Sequence, residues 1–334
     1  MILHKDDIST SKWESFISEN PFTTPFQTPN FFRFYNSVSG LSAQVYSVEE
    51  SDELLALCVV TFQKESGIKA YFSRRAIIYG GPVLAEVPKK REALKFLLES
   101  IQADIKRKVI YIETRNFNDY SDYKVSFATE LWHYEPYLNI RISLAGKSIG
   151  EILEALKYNR RREINLSVKE GAIFRAADTI AEVTEIYRIL EDLYKQRVNL
   201  PLPALEFFLR LYQSDAGKVF VVMHNDKVIG GSFCFYYPGN SIFTMYYCGS
   251  RDYHPRIFPT HLAIIAAIDF GVKNDLKMID LMGAGKPGKE YGVRKYKSEF
   301  GGEMVEHGRF LRICTPLLFT VGKMALSLIK RIKQ

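Results

Sequence analysis

Between Ile279 and Phe310 the chain reads IDLMGAGKPGKEYGVRKYKSEFGGEMVEHGRF, an apolar, strand-like run that stops in a loop rich in glycine and cations. Gly283, Gly285, Gly288, Gly292, Gly301 and Gly302 let the backbone approach a ligand closely, while Lys286, Lys289, Arg294, Lys295 and Lys297 supply cationic donors. A loop of that kind handles negative charge, and the question it poses is which anion. The spacing Gly283-x4-Gly288-Lys289 copies the start of a phosphate-binding P-loop behind a strand. The copy then fails. Glu290 stands where a hydroxyl should meet magnesium, and Tyr291-Gly292-Val293 opens a helix poorly, so a nucleotide triphosphatase is disfavoured.

A second group of cations lies in ALKYNRRREINLSVKEG, Ala155 to Gly171. Ile149, Ile152, Leu153, Leu156, Ile164 and Val168 trace one helix face, and Lys157 and Arg161 share another at i, i+4. Arg162 and Lys169 read as a solvated basic face. Arg160, four residues after Leu156, lies near the apolar stripe, and a guanidinium there needs a carboxylate or phosphate partner. For Arg160 and Arg161 the pattern leaves anion binding and a plain basic face both open. Other chemistries find no support. The six histidines lack ligand spacing, so no metal is expected; there is no GxSxG elbow, and Cys58, Cys234, Cys248 and Cys314 read as buried free thiols. What remains is positioning plus electrostatics.

These residues must be held by elements that the chain pattern supplies. With 334 residues, 47% hydrophobic and 25% charged, 23 Phe and 20 Tyr, the sequence reads as a globular protein of two domains. Its net charge of +7 favours partners bearing phosphate or carboxylate, or an anionic membrane surface. Strands are expected at Ala43–Val48, Leu54–Gln63, Lys69–Ile78, Val109–Glu113 and Tyr137–Leu144, with a helix over Pro88–Lys106. The second half repeats that order: helices Ile149–Lys169 and Thr179–Val198, a shorter helix after Pro203, strands Val219–His224, Val228–Tyr236 and Ile242–Cys248, helix Thr260–Lys273 and strand Met278–Leu281. The repetition predicts an α+β protein made of two copies of one unit, each a mixed sheet flanked by helices. An apolar helix over Pro316–Gln334, ending in Lys330, Arg331 and Lys333, reads as closing the core of domain one. The charged start MILHKDDIST and the lack of a long apolar run predict a cytoplasmic protein, with peripheral contact at the inner membrane face as a further expectation.

Helix Thr260–Lys273 follows a strand at the place where GNAT-fold acetyltransferases carry a glycine-rich pyrophosphate loop. Here the connection is SRDYHPRIFPTHL, with Pro255 and Pro259 and no glycine after Gly249, so the fold fits and the coenzyme A loop does not. Taken in order, FQTPNFF, YGGPVL at Tyr79 to Leu84, KYNRRREINLSVKEGA, MYYCGS at Met245 to Ser250 and GVRKYKSEFGGE resemble the FemAB-type aminoacyltransferases, which build peptidoglycan interpeptide bridges. The resemblance spans nearly the whole chain. It implies two tandem GNAT-like domains, 1–148 completed by the C-terminal helix 312–334, and 149–311 carrying the basic helix and the glycine-lysine loop. It further implies transfer of an aminoacyl group from aminoacyl-tRNA, as co-substrate and without another cofactor, to an amine of a nucleotide- or lipid-linked muropeptide. By carry-over, Tyr296 and Lys297 match the family's aromatic-lysine pair, with Lys297 stabilising the oxyanion, and Arg161 matches the basic helix position. Tyr194, Arg197 and Tyr247 follow as residues holding the precursor's phosphates and peptide. No general base is assigned among Asp280, Glu290 and Glu299. The competing expectation is a GNAT-fold N-acyltransferase that uses acyl-coenzyme A on a sugar or peptide amine in surface polysaccharide synthesis. A non-enzymatic RNA-binding or membrane-surface module is a third class; the absence of an RNP1-like motif and of a long basic stripe argues against it.

Overall fold

The structure, a computed structural model, describes residues 1–65, 67, 69–198 and 200–332. In chain order, the first part carries β1 (Ile2–Lys5), α1 (Thr10–Ser18), α2 (Pro29–Ser37), β2 (Ser42–Glu50), β3 (Glu53–Gln63), α3 (Lys69–Ser73), β4 (Arg75–Gly80), β5 (Val83–Leu84), α4 (Lys90–Ile105), β6 (Tyr111–Asn116), α5 (Lys124–Thr129) and β7 (His133–Glu135). The second carries β8 (Leu138–Ser143), α6 (Ile149–Ala155), α7 (Tyr158–Lys169), β9 (Ile173–Ala176), α8 (Ile180–Leu193), a π turn (Tyr194–Val198), α9 (Leu205–Gln213), β10 (Gly217–His224), β11 (Lys227–Tyr237), β12 (Ser241–Gly249), α10 (Pro259–Lys273), β13 (Met278–Gly283), α11 (Gly292–Ser298) and β14 (Glu303–Glu306). The chain ends in β15 (Arg309–Ile313) and α12 (Pro316–Ile332); Lys333 and Gln334, expected to finish that helix, lie outside the described residues.

Two compact units result, Met1–Tyr137 with Glu306–Gln334, and Leu138–Val305. The sheet of the first runs β1-β2-β3-β4-β6-β15-β7, with β5 beside β3, and that of the second runs β14-β8-β13-β12-β11-β10-β9. Each sheet is mainly antiparallel and contains one parallel pair, β4 with β6 and β12 with β13, joined through a crossover helix, α4 or α10. A parallel neighbour requires such a crossover, which is why the same hairpin-helix-strand order recurs in both halves of the sequence. α4 buries Leu94, Leu97, Leu98, Ile101 and Ile105 at helical spacing. α10 is buried on almost every side from Leu262 to Ile268, so its sequence is apolar throughout rather than striped.

The units divide elsewhere than at 148/149 and 311/312. β8, expected to close the first half, pairs with β13 in the second sheet, and β15 pairs with β6 and β7 in the first. Three element boundaries also differ from expectation. Lys69–Ser73 is helical, and the strand begins at Arg75, where pairing with Gln63 and Tyr111 starts; the aromatic content of Tyr71-Phe72 pointed to a strand that the ladder does not extend to. The helix expected over Ile149–Lys169 breaks at Leu156 and Lys157, both extended, with the Lys157 amide bonded to the Glu299 carbonyl. Its apolar phase continues across the break, so periodicity gives no sign of it. The helix opened by Thr179 leaves α geometry at Tyr194.

The motifs FQTP and YGGP are bolted to each other. Gln27 Nε2 donates to the carbonyls of Tyr79 (3.2 Å) and Gly81 (2.9 Å), and Tyr120 Oη donates to those of Gly80 (3.0 Å) and Pro82 (2.6 Å). Gly80 has φ +83°, and a Cβ there would lie 2.2 Å from Gln27 Nε2, so both backbone strain and space demand glycine. At the other end of the first core, Phe310 of β15 stacks on Phe127 with ring centroids 3.8 Å apart. Both tryptophans, Trp13 and Trp132, are buried in this unit. Phe310→Ala is therefore expected to destabilise the first unit by about 3–5 kcal/mol, read as a lower urea midpoint in tryptophan fluorescence. An unchanged midpoint would show that β15 does not close this core.

Candidate active site

The two parallel strand pairs differ in extent. β4 and β6 stay paired through six positions, Arg75 with Tyr111 up to Gly80 with Asn116. β12 and β13 pair only at Ser241 with Met278, Ile242 with Ile279 and Phe243 with Asp280, and then part, although β12 runs on to Gly249 and β13 to Gly283. Met282 takes a left-handed backbone (φ 64°), and the ladder between β13 and β8 shifts register between Asp280 and Gly283. The second sheet is thus split at the carboxyl ends of two parallel strands, where open α/β sheets place their ligands.

Lys297, buried on α11, sits in that split. Its Nζ donates to the Gly283 carbonyl (2.9 Å) at the end of β13 and lies 6.0 Å from the ring centroid of Tyr247 on β12. Burial pushes its ammonium down to about 8, against the pull of Asp280. Asp280 is fully buried and accepts from Asn139 Nδ2 (3.1 and 3.2 Å), Arg141 Nε (3.4 Å) and the Met282 amide (2.6 Å). Burial raises its carboxyl above the usual range, and Arg141, these donors and Lys297 oppose that rise. At neutral pH Lys297 is therefore a largely charged donor with one backbone acceptor, held in a low-dielectric place beside an aromatic face.

Tyr296, the preceding residue, turns to the other side of α11. Its ring stacks toward Tyr247 (6.1 Å) and carries the Arg160 guanidinium at 4.8 Å, and its hydroxyl lies 2.9 Å from His261 Nδ1. His261 Nε2 in turn is 3.1 Å from a Glu163 carboxylate oxygen and touches Arg160 Nη1. Burial first, and then the Arg160 charge, push His261 down to about 3, so the imidazole is neutral. Nε2 faces both the Arg160 guanidinium and the Glu163 carboxylate, and Nδ1 faces the Tyr296 hydroxyl, so the neutral imidazole fixes the position of that phenol.

Arg160 is buried and bonds Glu163 (3.0 Å) and Glu299. Its charge is satisfied within the fold, which answers its sequence-level need for an anion with two carboxylates of the chain itself. Arg161 lies on the outer side of α7, in a shallow groove of about 290 Å³ lined with Tyr158, Arg162, Asn165, Leu166 and Lys169. Lys157 is exposed at the α6–α7 break, and Arg197 is exposed on the π turn. Tyr194 lies 6.2 Å from Tyr246, and its hydroxyl, like that of Tyr247, is raised by burial and by the nearby Tyr291. The fold thus brings Tyr194, Tyr247, Tyr296 and Lys297 together and adds Tyr291, whose ring packs on Gly285. It leaves Lys157, Arg161 and Arg197 on the surface of the unit.

The glycine loop itself is tied down by Arg294, whose Nε donates to the Ala284 carbonyl (2.8 Å) and whose Nη2 contacts that of Lys286. No helix begins at Lys289; α11 starts at Gly292. The amides of Arg256, Ile257 and Phe258 ahead of α10, and that of His261 in its first turn, are bonded to His254 Nδ1, the His254 carbonyl, Ser167 Oγ and the Phe258 carbonyl. Among the described residues no group of three or more His, Cys, Asp or Glu could hold a metal ion. The site roles of His261, Glu163 and Tyr291 escape a reading of the sequence because none carries a motif, and Asp280 is visible there only as one carboxylate among three near the loop.

Residues 155–298 match the model of the acetyltransferase (GNAT) domain family. The matched stretch lies within the second unit. No curated protein matches the sequence. Among solved structures the chain is similar to FemX, over 95% of this chain and 99% of that one, at 13% identity and a TM-score of 0.73. It is also similar to L-PGS from Bacillus licheniformis, over 97% and 98%, at 14% identity and TM-score 0.58. A tandem GNAT protein from the clavulanic acid biosynthesis pathway is similar over 94% and 99%, at 8% identity and TM-score 0.55. These likenesses are of fold, and the fold is the tandem GNAT-like one that the FemAB-type resemblance implied. The fold is accordingly two GNAT-like units, the second of which carries both the split-sheet site and the family match, and that match supports an acyltransferase.

Because Arg160 holds His261 low, Arg160→Met should move the His261 titration up toward the ordinary imidazole range, seen in its ring nitrogen shifts between acid and neutral pH. A titration that does not move would assign the shift to burial alone.

Proposed function

We propose that this enzyme transfers an aminoacyl group from an aminoacyl-tRNA ester to an amine of a peptidoglycan precursor, a nucleotide- or lipid-linked muropeptide, at the cytoplasmic side of the membrane. The observation that carries the reading is the buried ammonium of Lys297 in the split between β12 and β13. An ester donor is already activated, and the acceptor supplies the nucleophile, so the protein's task is alignment, desolvation and charge stabilisation. The acceptor nitrogen bonds to the ester carbonyl carbon, whose π electrons move to oxygen. Lys297 meets that oxyanion while keeping its own proton. Collapse re-forms the carbonyl, expels the ribose oxygen and leaves an amide; the proton lost by the amine goes to the departing oxygen. Tyr296, held by neutral His261, lies beside the same region through its stack on Tyr247.

Arg161 and Lys157 are suited to the precursor's phosphates, and Tyr194, Tyr247 and Arg197 to its peptide. The FemX-like fold and the match to the acetyltransferase (GNAT) domain family support acyl transfer as the reaction class. The family match also favours a second reading, an acyl-coenzyme A donor acting on a sugar or peptide amine. The three amides ahead of α10 and the one in its first turn that already have protein partners weigh against it, since a pyrophosphate there needs them unbonded.

The deciding experiment incubates the protein with charged tRNAs, or with acyl-coenzyme A, plus nucleotide-linked muropeptide and follows the acceptor mass. Growth of the acceptor by an aminoacyl residue from tRNA is expected; transfer from coenzyme A alone would overturn the tRNA reading. Lys297→Met should lower the rate by about a hundredfold with folding intact. Since Lys297 must be charged to meet an oxyanion, the wild-type rate should fall as pH rises through about 8. Asp280 raises the Lys297 value, so Asp280→Asn should shift that fall to lower pH; a fall that stays in place would remove this carboxylate from the mechanism.

A further inference from the structure

The apolar sequence of the C-terminal helix suits a core, yet one of its faces does not enter one. Phe319 packs edge-on against Tyr111, 5.6 Å between ring centroids. On another face Leu317, Val321 and Met324, at i, i+4 and i+7, are exposed, Leu317 to 76%. α3 lies against this helix, with the Phe72 carbonyl near Gly322, and it too exposes its large side chains, Tyr71 to 54% and Phe72 beside it as an edge-to-face pair. Five large apolar side chains from two touching helices therefore face solvent together, more than scattered surface apolar residues account for.

The two segments that carry these helices bear charges of one sign, the nearest acid in the sequence being Glu65, whose amide is bonded to Ser73 Oγ. Residues 67–85 and 307–334 contain no Asp or Glu. Arg74 lies 4.9 Å over the Tyr71 ring, and its Nε–H has no acceptor among the described residues. Lys323 lies over Phe319 at 4.8 Å, and Lys330, Arg331 and Lys333 follow in the sequence. An apolar stripe bordered by cations, with aromatic side chains beside it, fits the boundary between acyl chains and anionic headgroups. No helix among the described residues is long and apolar enough to cross a membrane, so α12 would lie along the surface.

We propose that the α3–α12 face docks on an anionic lipid bilayer, with Leu317, Val321, Met324, Tyr71 and Phe72 entering the interface and Arg74 and Lys323 meeting lipid phosphates. An RNA partner would meet the cations but give the aliphatic stripe nothing to cover it, and a second copy of this chain would bring a second set of cations against the first. The proposal does not rest on the donor or acceptor of the acyl-transfer reaction.

The test is co-sedimentation of the full chain with vesicles of phosphatidylcholine alone or mixed with phosphatidylglycerol, at low and high salt. Binding is expected to the anionic vesicles and to weaken with salt, which screens the attraction between Lys or Arg and anionic headgroups. Leu317→Glu with Val321→Glu should reduce it by about tenfold or more, as should Tyr71→Ser with Phe72→Ser, which leaves α12 untouched. Tryptophan fluorescence checks folding of the variants. Absence of binding to anionic vesicles, or binding that both pairs of substitutions leave unchanged, overturns the proposal. So does a concentration-dependent dimer, or tRNA binding, that the same substitutions abolish while vesicle binding persists.

Discussion

The second unit is organised around one buried carboxylate. Asp280 has no access to water, and a charge in that position costs several kcal/mol unless donors surround it. Its donors come from β8, through Asn139 and Arg141, and from its own strand, through the Met282 amide, while Lys297 adds charge from α11. To return an amide to Asp280 two residues on, the backbone adopts a left-handed turn at Met282, and β13 then no longer follows β12. The split in the sheet and the cation placed in it are consequences of the same local arrangement.

The first unit shows what the same plan gives without that turn. Glu113 is the third residue of β6 as Asp280 is of β13, and it too is held by guanidinium groups, Arg115 at 2.9 Å and Arg309 at 2.7 Å. Burial raises its carboxyl, but the two arginines outweigh burial and hold it below the usual range. Beyond Glu113 the ladder continues through Thr114, Arg115 and Asn116, with no left-handed residue on β6 itself, and the parallel pair stays shut. The two units therefore share an architecture and a buried acid, and among the described residues they differ in the backbone that follows it, left-handed at Met282 on β13 and extended along β6.

Around the split, electrostatics sorts the cations. Arg160 is tied to Glu163 and Glu299, Arg294 to loop carbonyls, and Arg141 to Asp280. Lys297 alone among these has its charged donor beside the parted strands, where its amine donates to the Gly283 carbonyl. The neutral His261 links the Arg160 cluster to Tyr296, so the orientation of that phenol depends on carboxylates as far away in sequence as Glu163 and Glu299. Positioning by a neutral imidazole adds no second buried charge beside the ammonium of Lys297.

Much of the fold was legible in the chain. Helical spacing gave α4, continuous apolarity gave α10, and the repeated strand-hairpin-helix-strand order gave two copies of one unit, because these signals come from local periodicity and from the rule that parallel strands need a crossover. Tyr296-Lys297 was legible as a motif behind a strand-end glycine loop. The break at Leu156-Lys157 was not, since it is imposed by a backbone bond to Glu299, and neither was the helix at Lys69–Ser73, where the strand ladder simply does not reach. Above all, the sequence named the cations without saying which would remain available. Arg160, beside an apolar stripe, and Lys297, behind a glycine loop, both read in the sequence as cations in need of an anion. Only the tertiary structure decided that one is neutralised by carboxylates and the other is held in an opened sheet, because the partners of a buried charge are chosen by long-range packing and by the desolvation that packing creates.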